Sequence, residues 1–335
     1  MTRLDSAPRL LVTFLVVVAC NRDSSTSTQA SAAGRPGDAA GKAAVTAAQT
    51  SKPLTFDAQS WRPPADSEIP NDTLGSSIRR GIALMTNTTD SLPAFAPGKI
   101  NCTNCHLEGG RNAEAGSLAG SHARFPKYME RTGAVIALSD RINYCFTRSL
   151  AGNMLPPGSR EMEDIMAYLA FISRGVPVGA KVPGAEGLVK MPGDIVGDTT
   201  RGQALFSSTC AACHGAQGEG QGIIPALWGA RSYSIGASMA RVERAASFIW
   251  HNMPLGRGKT LTRQQAFDVA AYVNSKPRPD SPGKQDDWPL GGAPRDVPYS
   301  TTSGHVAYLP PPLLPRTNAR GSVVPKPPRA GSLTR

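Results

Sequence analysis

The chain has 335 residues and a formal net charge of +11, from 36 Lys and Arg against 25 Asp and Glu. That length allows two domains, and 34 Gly with 29 Pro imply much irregular chain over a small scaffold. Five positive charges (Arg316, Arg320, Lys326, Arg329, Arg335) fall in the acid-free segment 316–335; the remaining excess is modest and no basic stretch is interleaved with stacking aromatics, which excludes a nucleic-acid partner from the reading.

Arg3 and Arg9 give the N-terminus a positive start, and residues 10–19 form an apolar run broken only by Thr13. The run is too short to span a bilayer and reads as the hydrophobic part of a signal peptide. Val17-Val18-Ala19-Cys20 then resembles a bacterial lipobox. The mature chain would start at an acylated Cys20; ordinary cleavage nearby, with Cys20 incidental, is the alternative. The expected location is the bacterial periplasm, or a lipoprotein attached at the outer membrane that touches lipid only through its anchor. Residues 21–55 are rich in Ser, Thr, Ala and Gly and nearly lack large apolar side chains. They cannot bury enough surface to fold and read as a disordered tether.

Residues 56–176 read as a first domain. Arg80-Gly81-Ile82-Ala83-Leu84 predicts a helix, 85–101 a loop, and Cys102-Thr103-Asn104-Cys105-His106 follows. Cys-x-x-Cys-His is the attachment signature of c-type haem: two thiols bond to the haem edge, and the adjacent His sets an imidazole on one face of the iron. Cys145 stands 39 residues past His106, within Asp140-Arg141-Ile142-Asn143-Tyr144-Cys145-Phe146-Thr147-Arg148-Ser149. If this stretch is helical, Arg141, Cys145 and Ser149 share a face, and a guanidinium, a sulfur and a hydroxyl line one wall of a haem pocket. A thiolate ligand lowers the iron potential, and a neighbouring Arg favours the thiolate. The competing ligand is Met154, 48 residues past His106, which would leave Cys145 a buried free thiol. Met162, Ile165, Met166, Leu169 and Ile172 recur at helical spacing and read as core.

Residues 177–198, rich in Gly, Val and Pro, read as a linker. The second domain, 199–279, repeats the first. Arg201-Gly202-Gln203-Ala204-Leu205 matches the earlier Arg-Gly helix. Cys210-Ala211-Ala212-Cys213-His214 repeats the motif, and Asp268-Val269-Ala270-Ala271-Tyr272-Val273 matches Asp164-Ile165-Met166-Ala167-Tyr168-Leu169. Met253 stands 39 residues past His214, before Pro254 in a Gly-flanked loop. A thioether there favours reduced iron and raises its potential; Met239 and His251 are the alternative ligands. A thiol in one module and a thioether in the other suggest one haem for chemistry and one for passing electrons on. A zinc knuckle needs further Cys or His at metal spacing, which His122, His251 and His305 do not supply. A thioredoxin-like motif would not need the following His twice. The expected cofactors are therefore two covalently bound haem c groups. Residues 280–315, with Trp288, Tyr299 and a Pro run at 310–312, read as a surface arm without its own core, and 316–335 as a basic disordered tail. The fold class is mainly α: two class I cytochrome c-like haem domains in tandem with irregular connecting segments.

The text from Trp61-Arg62-Pro63-Pro64 and Ile78-Arg79-Arg80-Gly81 through Asn101 to His106, Arg124-Phe125-Pro126, Asp140 to Asn143 with Cys145, Asn252-Met253-Pro254, Pro277-Arg278-Pro279 and Asp287-Trp288-Pro289 resembles the dihaem thiosulfate dehydrogenase family. The resemblance covers roughly residues 55 to 300. It implies an enzyme that couples two thiosulfates to tetrathionate with transfer of two electrons, or runs the reverse. It implies His106 and Cys145 as axial ligands of an active-site haem, and His214 and Met253 as ligands of an electron-transfer haem. Arg131, Arg141 and Ser149 carry over as substrate-binding residues. Some members carry a Lys beside this Met that can replace it; Asn252 stands here, which implies Met253 in both oxidation states. The implied partners are thiosulfate or tetrathionate and a small c-type cytochrome or other periplasmic electron acceptor. Two other readings need less. A non-enzymatic dihaem carrier needs only the haems, and a sulfur-oxidation cytochrome with a persulfide-modified Cys ligand would act on a partner protein.

Overall fold

The computed structural model describes residues 56–314 apart from 186, 192, 193 and 309. Cys20, the tether and the basic tail therefore lie outside the described residues. In the first half, helix α1 (Thr73–Thr86) starts at Asp72, whose carboxylate accepts the Gly75 amide at 2.8 Å. This satisfies one of the donors that a helix start leaves open. Helix α2 (Leu138–Tyr144) continues into a wider π turn, Cys145–Ser149. Helix α3 (Arg160–Phe171) starts at Ser159, which caps Met162. Helices α1 and α3 cross by their small and apolar faces, burying Ile78, Gly81 and Met85 against Met162, Ile165, Tyr168 and Leu169. Gly81 permits the crossing, since a Cβ there would stand 2.1 Å from the Asp164 carbonyl. Beside it the Arg80 guanidinium forks onto the buried Asp164 carboxylate at 2.7 and 2.7 Å.

The second half repeats the device. Helix α4 (Thr199–Leu205) is capped by Asp198, α5 spans Val242–Asn252, and α6 (Arg263–Asn274) is capped by Thr262. Arg201 forks onto Asp268 at 2.8 and 2.9 Å, and a Cβ on Gly202 would stand 2.0 Å from the Asp268 carbonyl. The internal repeat expected from the two Arg-Gly segments is thus the same helix crossing twice. Strand is scarce among the described residues. The pair β1 (Lys127–Met129) and β2 (Ala134–Ile136) is antiparallel, and β3 (Arg278–Pro279) and β4 (Leu313–Leu314) are parallel.

Three connecting segments carry more structure than their composition suggests. The stretch 85–101, expected to be a loop, contains the helical turn Thr88–Ser91 and buries Leu92, Ala96 and Ile100; the Thr88 hydroxyl accepts the Cys102 amide at 3.1 Å. The linker is packed rather than free: Val182, Ala185 and Met191 are buried. The arm is packed through a shared core: its Trp288, Val297 and Tyr299 form a buried cluster with Ile235 of the second domain. All described residues fall within one compact unit, and none of their helices is long and apolar enough to cross a membrane.

Candidate functional site

The motif Cys102 to His106 lies on a short helical turn after α1 and faces a cavity of about 430 Å3. Met85, Ile100, Leu138, Phe146, Ile165 and Leu169 give the cavity apolar walls. Cys102, Cys105, His106, Arg141, Cys145 and Ser149 all line it. His106 Nδ1 lies 2.6 Å from the Gly116 carbonyl. A carbonyl can only accept, so the proton stays on Nδ1 and Nε2 keeps its lone pair for a metal. Two thiols, an imidazole and an opposing sulfur on one apolar cavity suit a haem held by c-type linkage.

Arg141 Nη1 donates to Cys145 Sγ at 3.0 Å. Helix α2 sets this contact, and the π turn that opens at Cys145 still leaves Ser149 on the cavity wall. Burial raises the Cys145 thiol, but the Arg141 charge leads the causes that outweigh it and bring its pKa from 9.0 to about 6. The two attachment thiols behave oppositely: burial pushes Cys102 up to about 11 and Cys105 up to about 12. One sulfur of the three is set up as a thiolate, which is the form that ligates and attacks. Met154, the competing ligand, is 57 % exposed and is not among the residues that line the cavity.

Arg131 is not brought to this cavity. Its Nε pairs with Asp287 at 2.9 Å, and its Nη2 donates to the Gly236 carbonyl at 2.7 Å and Tyr299 Oη at 2.5 Å. Its guanidinium also lies over the Trp288 ring at 4.9 Å. Arg148 grips the same buried carboxylate with both amino groups, at 2.5 and 2.6 Å. A desolvated carboxylate between two guanidiniums is a stronger partner than an open wall, so Arg131 ties the β1–β2 turn to the arm. Four cations that sequence reasoning gave no role do reach the cavity: Arg124, Lys127, Arg241 and Arg244. Arg124 stood in the matched text without a role; Arg241 and Arg244, one turn apart on and before α5, carry no local signal of it.

In the second half, Cys210 packs against Phe206, Val269 and Tyr272, and burial pushes its thiol up to about 11. His214 is half-buried, and burial lowers its pKa while the Pro225 carbonyl opposes. Its Nδ1 has no hydrogen-bond partner among the described residues, unlike His106, whose Nδ1 faces the Gly116 carbonyl. Met253 is half-buried just past α5, with its amide donating to the Ile249 carbonyl at 2.8 Å. The alternatives are placed otherwise. His251 Nδ1 is held by the Ser247 carbonyl at 2.8 Å. Met239 is half-buried, packs against two buried clusters and lines the first cavity. Asn252, beside Met253, turns to the first half, and its amide donates to the Glu114 carbonyl at 3.0 Å. This donor set fits a second c-type haem by the same chemistry.

Residues 94–178 match the SoxA/TsdA cytochrome c domain, and residues 199–276 match the cytochrome c domain. A thiosulfate dehydrogenase of Psychrobacter arcticus is 40% identical over 240 residues, covering 70% of this chain and 73% of that protein. One from Allochromatium vinosum is 40% identical over 226 residues, covering 64% and 83%. The solved thiosulfate dehydrogenase TsdBA of Marichromatium purpuratum aligns with a TM-score of 0.64 at 32% identity over 70% of this chain; the chain spans about half, 52%, of that longer one.

Proposed function

The chain belongs to the thiosulfate dehydrogenase family, and on that premise we propose that it joins two thiosulfates into tetrathionate with release of two electrons. The same contacts would serve the reverse reaction. The observation that carries this reading is the Arg141 guanidinium 3.0 Å from Cys145 Sγ, on a cavity wall that also presents Ser149. Cys102, Cys105, His106 and Cys145 would hold one haem, and Cys210, Cys213, His214 and Met253 would hold the other.

Thiosulfate is a dianion, so two of them repel as they meet. Arg141 offers forked donors to sulfonate oxygens and offsets that repulsion, and Ser149 adds a hydroxyl donor. The Cys145 thiolate can take the first thiosulfate as Cys–S–S–SO3⁻, forming one S–S bond and releasing two electrons. When bound, the haems supply the one-electron acceptors for those electrons. The second thiosulfate then attacks the outer sulfur of the adduct. The S–S bond of tetrathionate forms, the bond to Cys145 breaks, and the thiolate returns. Apolar walls around the sulfur limit water, which would otherwise compete for the adduct.

A carrier without a substrate of its own would not need a guanidinium beside a thiolate. Electrons would pass to a small c-type cytochrome or another periplasmic acceptor, from a lipoprotein anchored through Cys20; a Cys20→Ser variant should leave the membrane fraction with its haem intact. Steady-state oxidation of thiosulfate with ferricyanide, in wild type and in Cys145→Met, tests the function. Turnover in wild type that is nearly lost in the variant is expected. Equal rates would remove Cys145 from the mechanism, and no wild-type turnover in either direction would favour the carrier.

A further inference from the structure

Two clefts meet at helix α5. The first-module cavity and an open groove of about 780 Å3 share two lining residues, Arg241 and Arg244. A guanidinium at that junction can be approached from solvent through the groove and can act inside the cavity.

The reaction proposed above brings two dianions together, and its product carries a sulfonate at each end. Arg141 and Ser149 serve the end next to Cys145. The other end needs donors of its own, or the repulsion between the two substrates stays uncompensated. Arg241 is already committed, pairing with Asp296 at 2.5 Å through Nη2 and 2.7 Å through Nε. Arg244 is held differently. One amino group donates to the Leu188 carbonyl at 2.8 Å, and no carboxylate among the described residues forms an ion pair with it. Burial lowers its pKa and the neighbouring Arg241 adds to that, while Asp296 and Glu243 oppose. A partly desolvated guanidinium supported by a carbonyl is poised for an incoming anion, because the anion repays the cost of its burial.

We propose that Arg244 forms the second anion subsite, taking the sulfonate of the second thiosulfate and the far end of tetrathionate. The inference rests on the thiosulfate reading above and gives the second module a part in binding as well as in electron transfer. The recognised chemistry is an oxyanion in a guanidinium fork. A haem carboxylate shares that chemistry, and the test separates the two.

Arg244→Gln and Arg244→Lys are prepared as two-haem holoenzymes. Oxidised protein is titrated with tetrathionate and followed by haem absorption, substrate-free midpoint potentials are measured, and KM for thiosulfate is determined. Arg244→Gln should weaken tetrathionate binding by about tenfold or more, with a parallel rise in KM. Arg244→Lys should recover part of it, since the charge returns without the fork. Substrate-free potentials and haem content should match wild type. Unchanged tetrathionate affinity in Arg244→Gln overturns the subsite. A shifted substrate-free potential of the first haem with unchanged affinity assigns the residue to the haem carboxylate and overturns it as well. If Arg244→Gln does not fold, Arg244→Lys decides: wild-type affinity there removes the fork. Wild-type protein that binds tetrathionate without oxidising thiosulfate counts against the proposed function alone, and the titration still decides Arg244.

Discussion

In the first module Arg80 clasps Asp164 and Gly81 lets the helices cross; in the second, Arg201 clasps Asp268 and Gly202 does the same. The two attachment histidines are both half-buried, but only His106 has its Nδ1 on a backbone carbonyl, that of Gly116. At the matched offset the modules part. The first offers Cys145 in a π turn with a guanidinium on its sulfur, and the second offers Met253, half-buried past the end of α5. Parts that hold a planar cofactor repeat because the cofactor is the same. Under the proposed function the part that would meet substrate differs, because a neutral thioether cannot supply the thiolate that the proposed step needs.

Making the first module resemble the second should have the largest effect. If the proposed function holds, Cys145→Met would keep a sulfur ligand but remove the nucleophile and the negative charge. Turnover should fall by on the order of a thousandfold or more, and the first haem potential should rise within the roughly 0.8 V range that axial ligands control. Steady-state kinetics and a redox titration check both. Retained turnover would mean that the sulfur only ligates.

Next comes the guanidinium. Arg141→Gln should raise KM for thiosulfate by about tenfold or more, and Arg141→Lys should lose less. The same Gln change removes the largest charge that lowers the Cys145 pKa, which now stands at about 6. The thiolate would then be lost at a higher pH, so the acid limb of the pH–rate profile should move up. Arg131→Gln is the contrast. It unpairs the Asp287 knot and should cost about 2 kcal/mol or more of stability in denaturant melts, with little change in KM. A KM rise as large as that of Arg141→Gln would put Arg131 back on the substrate.

That contrast marks how far the sequence could be read. The haem motifs, the matched offset, the Arg-Gly and Asp helices and the Arg141–Cys145–Ser149 face are local patterns, and spacing alone exposes them. Arg131 is 156 residues from Asp287, and no local signal announces such a pairing. The arm looked coreless because Trp288, Val297 and Tyr299 find their fourth partner, Ile235, in the other part of the chain. The linker looked free because Gly, Val and Pro are poor signals of packing, yet the Leu188 carbonyl in it holds Arg244. Charge partners and cavity walls are assembled by the tertiary fold, and composition does not carry them.

Met253→Ala tests the other side of the comparison. It should abolish any red-edge band from Met-to-iron charge transfer and lower the second potential, while the first haem and tetrathionate binding stay as they are. An unchanged spectrum would return the ligand to another residue, although His251 is turned onto the Ser247 carbonyl and Met239 packs against two buried clusters.

The smallest effects should come from the shared part, and they should be equal. Asp164 and Asp268 are both buried, whereas Arg80 and Arg201 are 41% and 58% exposed. Solvent screening therefore discounts each clasp, and Asp164→Asn or Asp268→Asn should cost about 1–3 kcal/mol. Burial pushes each carboxyl up, but the Arg80 fork with Ser77, and the Arg201 fork with the Asp198 amide and Gln264, more than offset it and hold both below the usual 3.8. A depressed folded-state value means that the contribution is complete above about pH 4, the range of a free carboxyl, and is lost as pH falls through the lower folded value. The stability gap between wild type and each Asn variant should then be flat from neutral pH to about pH 4 and narrow below it. Denaturant melts across that range check it for both modules. A gap in one module alone would break the equivalence of the clasps. A gap that widens on acidification would mean that these carboxyls are raised, and that the two helix crossings rest on Gly81 and Gly202 without help from their ion pairs.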